Sequence, residues 1–283
     1  MRAAILALPV FSLAVLSLAV LGLPAAPGVS LAQALPDGVT QGFELSGEYS
    51  LVVDGKPVPA AEIYLSPVPS ILLRTSAFST PVLLSPRSGK VDQVNLMKVS
   101  REKDGSLDLL PDFVMRAAGS FQRKADGTVS FTVEGKAGEL VPKPPLLGPR
   151  TNEALKAYLP EYVRGAKRYV PEAASLASLR KQRAPVTVRV FFGSWCPHCR
   201  QLVPSLLRVQ DEVRNPHIRF EYYGIPQGLD DPEAKKAGVS SVPTGIVLAE
   251  GKEVGRIVTD GWAAPEVTLD KILNPAKIKP ARK

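Results

Sequence analysis

Between residues 41 and 140, short runs alternate apolar and polar positions, the pattern of strands with one buried face. They fall at 49–53, 62–65, 91–96 and 128–133. Asp54-Gly55, Asp104-Gly105 and Asp126-Gly127 punctuate the runs. Asp-Gly suits tight hairpin turns, so these three aspartates read as turn formers rather than catalytic acids. Pro57, Pro59, Pro67, Pro69, Pro81 and Pro86 exclude long helices and fit strand edges or loops. A helical turn or two fits Pro111-Asp112-Phe113-Val114-Met115-Arg116. The pattern predicts an all-β domain over 35–140, a small sandwich or barrel whose strand order is left open. It holds neither histidine nor cysteine, which points to a binding or spacing module.

The pattern changes at residue 141. Val141-Pro142-Lys143-Pro144-Pro145-Leu146-Leu147-Gly148-Pro149 predicts an extended, semi-rigid spacer. Thr151 then caps a helix, so 141–169 reads as connector and helix. A second helical piece covers 171–181. Residues 186–192 form a continuous β-branched and aromatic run, a buried strand, and 201–209 return to helical spacing. A strand follows over 218–223, then a helix over 231–237 with Asp231 as cap, Pro232 at its first position and Gly238 at its end. A hairpin of 244–248 and 254–258 around Gly251 and a helix over 264–273 complete the order βαβ then ββα. This predicts an α/β domain over 170–275, with a basic tail over 276–283.

Residues 1–34 differ from both parts. Arg2 precedes a long uncharged run rich in Ala, Leu and Val, and Ala32-Gln33-Ala34 is a small-residue cleavage pattern. A signal peptide cleaved after Ala34 is expected. A retained membrane anchor is the alternative, because 3–23 is long enough to span a bilayer. Either leader places the remaining chain in the periplasm or cell envelope. The formal charge is +8, but outside the tail basic residues are interleaved with acidic ones, which argues against a nucleic-acid partner.

Export sharpens the meaning of the two cysteines, Cys196 and Cys199. No cysteine remains for a disulfide staple elsewhere. The pair sits where a buried strand turns into a helix, which places Cys196 at the helix N-terminus. Unpaired N–H groups and the helix dipole stabilise a thiolate there, and Cys199 lies one turn in, within reach of a mixed disulfide on Cys196. A structural bridge is disfavoured because so short a loop restrains the unfolded chain least. Zinc would find only His198 and His217 as further ligands, at a spacing that fits no common site. Redox chemistry is the favoured reading.

Trp195-Cys196-Pro197-His198-Cys199, Pro204 in the following helix and Val242-Pro243-Thr244 downstream together resemble the thioredoxin superfamily, over the C-terminal part of the chain alone. The resemblance implies a thioredoxin-like fold, with Cys196 as exposed attacking thiol and Cys199 as buried resolving thiol. It makes Pro243 a cis-proline facing the pair, and Val242, Pro243 and Thr244 the surface that docks an extended client; Trp195 reads either as part of that surface or as aromatic packing under the loop. Pro197 and His198 are tuning positions: Cys-Pro-His-Cys is the pattern of the periplasmic oxidase DsbA, and a cationic His198 favours the thiolate and an oxidising pair. The body departs from that oxidase, since 47 positions from Cys196 to Pro243 leave no room for its helical insertion. Many family members also keep a buried carboxylate six positions before the first cysteine to shuttle the resolving cysteine's proton. This chain has Val190 there, and Glu221 or water is its candidate replacement. Arg200 reads equally as a cationic field or a solvated side chain.

These observations predict an exported thiol–disulfide oxidoreductase exchanging a Cys196–Cys199 disulfide or dithiol with client-protein thiols, with oxidation or isomerisation favoured over reduction. Its partners are the clients and a recycling redox partner, expected to be membrane-bound. The couple is the dithiol itself, so neither organic cofactor nor metal is implied. The alternative is an envelope binding protein whose β domain captures a partner and whose thioredoxin-like domain is a scaffold.

Overall fold

The computed structural model describes residues 42–110 and 112–275. The leader over 1–34, cleavage after Ala34 and the basic tail over 276–283 lie outside them. Alternation in the first part yields β1 (Glu44–Leu45), β2 (Tyr49–Val53), β3 (Lys56–Pro57), β4 (Glu62–Leu65), β5 (Ile71–Arg74), β6 (Val82–Ser85) and β7 (Lys90–Val94). A hairpin of β8 (Val99–Arg101) and β9 (Leu107–Leu109) precedes β10 (Met115–Arg123), β11 (Val129–Val133) and β12 (Lys136–Pro142). All but the β8–β9 hairpin join one 10-stranded sheet in the order β1-β4-β5-β6-β7-β10-β11-β12-β2-β3.

β10 belongs to two limbs of that sheet. Its first half pairs with β7 and its second with β11, with a bulge between Ala117 and Gly119. The limbs face each other across one core, Ile63, Leu73, Val82 and Leu84 against Leu51, Val129, Phe131 and Leu140. The outer face of the β4–β7 limb is buried as well, with Tyr64, Leu72 and Leu83 packed with Leu107, Leu109 and Phe113. Burial on both faces is why β5 and β6 read Ile-Leu-Leu and Val-Leu-Leu, and why a period-two pattern passes over them.

The three Asp-Gly turns form. Oδ1 of Asp54, Asp104 and Asp126 accepts from the N–H of Ala137 at 2.9 Å, Ser106 at 3.0 Å and Thr128 at 2.9 Å, respectively. Of the helical turn expected over 111–116, the described residues 112–116 form none. Met115 and Arg116 start β10 opposite Val94 and Gln93, since Phe113 is drawn into the core beside β9 and ladder pairing satisfies the backbone that follows.

The proline-rich segment is not a free spacer either. Pro142 ends β12, the Leu146 N–H donates to Ser194 Oγ at 2.9 Å, and β13 (Gly148–Arg150) adds an antiparallel edge to the second sheet. Then come α1 (Asn152–Tyr158), with Thr151 Oγ1 accepting from Ala154 N as expected, α2 (Pro160–Arg168) and α3 (Ala173–Arg180). The pattern did not predict α2. Pro160 opens it, where a missing N–H costs nothing.

β14 (Val186–Phe192), α4 (Pro197–Val213), β15 (Ile218–Gly224), α5 (Pro232–Lys236), β16 (Thr244–Ala249), β17 (Lys252–Ile257) and α6 (Pro265–Leu273) follow. The sheet order is β13-β15-β14-β16-β17, with β14 parallel to β15 and antiparallel to β16. Val188, Val190 and Phe192 of β14 enter a core shared with α1–α4 and α6, while Phe191 enters a second core with Ile225, Ala234 and Ile246. That two-sided burial makes β14 continuously apolar.

Helix α2 also ties the two sheets together. Glu161 Oε1 accepts from Ser46 Oγ at 2.8 Å and Gly47 N at 3.2 Å. Arg164 donates to Leu45 O at 2.5 Å, and Arg168 to Glu44 Oε1 at 2.6 Å.

Candidate active site

β14 ends at Phe192, and Gly193-Ser194-Trp195 turn the chain into α4. Cys196 is left as the N-cap residue, with φ −85° and ψ 122°. Pro197 takes the first helical position, where its fixed φ suits the turn, and Cys199 follows inside that turn. Both cysteines are free thiols. Cys199 is fully buried, and Cys196 is only 6 % exposed, less open than an attacking thiol was expected to be. The Val242–Pro243 peptide is cis, and Val242 O lies 3.8 Å from Cys196 Sγ. Cys196, Cys199, Val242 and Pro243 are thus brought together. Thr244 opens β16 beside them, its Oγ1 donating to Ser241 O at 2.8 Å.

Trp195 is half-buried and packs under the loop. Its Nε1–H donates to Ile225 O at 2.8 Å beneath the loop. The same residue lines a small cleft of about 170 Å³ with Glu48, Tyr49, Lys143, Tyr158 and Arg200. Arg200 is neither fully solvated nor unopposed. It pairs with Glu48 from the β-sheet region, and its side chain is 15 % exposed. Pro197 and His198 are exposed.

Burial pushes the Cys199 thiol well above its ordinary range, with the Gly193 N–H, donating to Sγ at 3.4 Å, opposing it. Val190 is fully buried and apolar. Glu221 does not take over the carboxylate's role at the pair: it is bonded to Arg189 at 2.8 Å and to Arg219 at 3.2 Å.

Three residues escaped the sequence pattern. Trp262, 1 % exposed, donates its Nε1–H to Pro243 O at 3.0 Å and holds the proline from behind. It lies in the short turn Thr259–Trp262, which has no periodicity. Its one signal was rarity, as one of 2 tryptophans. Glu48 and Tyr162 gave no signal, because each is defined by partners far away in sequence.

A family model described as Thioredoxin matches residues 172–269. Thioredoxin of Chlamydia caviae is 41 % identical over 69 residues, 24 % of this chain and 63 % of that protein. Thioredoxin-2 of Saccharomyces cerevisiae is 32 % identical over 74 residues, 26 % of this chain and 67 % of that one. The C-terminal part of the chain belongs to the thioredoxin superfamily. The solved thioredoxin of Fasciola hepatica is 28 % identical, covering 26 % of this chain and 67 % of its own, with a TM-score of 0.22. The chain spans 63 % of the length of the first curated relatives it matches. The β-sheet region and α1–α2 lie outside the family match. Within the thioredoxin domain, one thiol sits at a helix N-terminus and a second lies one turn deeper, an arrangement suited to thiol–disulfide redox chemistry.

Proposed function

We propose that the chain is an exported thiol–disulfide oxidoreductase whose redox centre is Cys196–Cys199 and whose substrates are the thiols or disulfides of client proteins. The observation that supports it most is joint placement: Cys196 at the N-cap of α4, Cys199 buried one turn on, and Val242–Pro243 against Cys196. In the oxidising direction, a client thiolate attacks Cys196 Sγ, the Cys196–Cys199 bond breaks, and Cys199 leaves as a thiolate. A second client thiolate attacks the client sulfur of the mixed disulfide, and Cys196 departs. The client loses two electrons to the pair, and its two protons pass through solvent to the enzyme thiols. The same steps reversed reduce a client.

Oxidation or isomerisation is favoured over reduction, on the position of His198 beside Cys196 and on the export that the leader implies. A membrane-bound partner then restores the disulfide. An extended client segment pairs with the backbone of Val242 and Thr244, while Trp195 and the Glu48–Lys143 wall bound it on the other side. The β-sheet region, docked through Glu44, Ser46 and Glu48, serves client binding in the same molecule.

Cys196→Ser abolishes turnover of an insulin or model-peptide disulfide; retained activity would sink the proposal. Equilibration with glutathione buffers gives the direction: about −120 to −180 mV marks an oxidase or isomerase, and about −270 mV a reductant.

A further inference from the structure

When Cys196 is joined to a client, Cys199 must become a thiolate to resolve the mixed disulfide. Its site opposes this, because the sulfur is fully buried and burial holds the thiol protonated. The charged or titratable groups that bear on it are few. Cys196 is tied up in the mixed disulfide, Arg200 is paired with Glu48, and Glu161, beside Tyr162, is bonded to Ser46 and Gly47. Val190 offers no carboxylate, and Glu221 is committed to Arg189 and Arg219.

The same core holds one polar atom without a function. Tyr162 of α2 is fully buried in the cluster that contains Cys196 and Cys199, and its hydroxyl has no hydrogen-bond partner. A buried unpaired hydroxyl is costly and calls for an explanation. Packing holds α2 closely against α4. One turn along α2, Gly165 lies so close to Pro204 of α4 that a Cβ on it would stand 2.6 Å from the proline ring. Burial, followed by the neighbouring Cys199, pushes the Tyr162 phenol far above its ordinary range, so it remains a neutral donor.

We propose that Tyr162 is a positioning residue for Cys199, its hydroxyl donating a hydrogen bond to the Cys199 sulfur as that sulfur becomes the resolving thiolate. The inference rests on the oxidoreductase reading above. In the step itself, Cys199 Sγ attacks Cys196 Sγ, the bond from Cys196 to the client sulfur breaks, and the client leaves as a thiolate. The proton lost by Cys199 passes through solvent to that thiolate. Tyr162 keeps its own proton throughout.

The test uses the full chain, reduced and mixed with 5,5′-dithiobis(2-nitrobenzoate). The first thionitrobenzoate released reports attack by Cys196, and the second reports attack by Cys199 on the adduct. In Tyr162→Phe the first release keeps its rate. The second slows about tenfold, and its pH midpoint rises by about one, the size of one hydrogen bond to a charged group. The variant's urea midpoint is unchanged or higher, since the lost hydroxyl has no partner in the reduced protein. A second release with unchanged rate and pH profile in Tyr162→Phe overturns the role of Tyr162 while leaving the oxidoreductase intact. A wild-type chain that gives no second release overturns both.

Discussion

Gly193→Ala tests whether the turn before Cys196 depends on the contact between Gly193 and Trp195. Gly193 does not occupy the left-handed region, so alanine there gains about 0.4–1 kcal/mol by restricting the unfolded chain. Against that gain, the new Cβ would lie 2.4 Å from Trp195 Cε2 and 2.7 Å from Nε1. An indole is a rigid plate and cannot yield at one edge, so the ring must move or the turn must open, at about 1–3 kcal/mol. If the ring moves, its bond to Ile225 O is lost, and an unpaired buried acceptor costs a similar 1–3 kcal/mol or so. These two costs overlap because displacement relieves the clash, which leaves a net loss of about 1–2 kcal/mol once the gain is subtracted. Urea unfolding of the reduced protein reads this as a lower midpoint. Tryptophan emission of the folded state shifts to the red as Trp195 meets water, while Trp262 keeps its bond to Pro243 O. Trp195→Phe, measured alongside, identifies which part of the emission moves. An unchanged midpoint with unchanged emission would refute the contact.

Gly165→Ala carries the same conflict in a helix: alanine is favoured by about 1 kcal/mol in a helix interior, yet the Cβ would meet the Pro204 ring at 2.6 Å. A net destabilisation of about 1–2 kcal/mol is expected in urea melts, and a stabilised variant would mean that α2 does not pack on α4 this way. Glu48→Gln releases the charge of Arg200 toward the cysteines, so the pair becomes more oxidising. Both side chains are partly solvated, which limits the rise to roughly 10–30 mV in glutathione equilibration, and an unmoved potential would show that the charge does not reach the pair. Burial raises the Cys199 thiol above its unfolded value of about 8.5. Its contribution to stability is therefore complete below about pH 8.5 and is lost as pH rises toward the folded value, because only the unfolded chain gives up the proton. Urea midpoints of the reduced protein should fall more steeply between about pH 8.5 and 10 than those of Cys199→Ala; parallel curves would contradict the burial effect.

Local pattern revealed most of the thioredoxin domain. β14 is buried on both faces and so reads as an unbroken apolar run, Asp231 and Pro232 stand where a cap and a first turn require them, and the cysteines fall at the resulting helix start. The β-sheet region was legible in its turns and in strands with one wet face. Where both faces are covered, as in β5 and β6, alternation vanishes. The segment over 111–116 and the proline-rich stretch were misjudged for a related reason. Local composition favoured a turn and a spacer, but Phe113 has a core to enter and Gly148–Arg150 have a sheet edge to pair with. Tertiary context decided both.

Glu48, Glu161 and Tyr162 were illegible for a stronger reason: their roles exist only after the two sheets are docked. Helix α2 meets different neighbours at successive positions. Glu161 takes the backbone of Gly47 from the β-sheet region, Tyr162 enters the core of the cysteine pair, and Gly165 admits Pro204 of the active-site helix. Arg164 and Arg168 add bonds to Leu45 and Glu44. A displacement of the β-sheet region would therefore pull on the same short helix that carries Tyr162 into the core of the cysteine pair, and would at once release Arg200 from Glu48. Both residues that distinguish this dithiol's surroundings, Tyr162 and Glu48, precede the stretch 172–269 that matches the thioredoxin family. The chemistry thus resides in the shared domain, and its setting is supplied by the part of the chain that the family does not share.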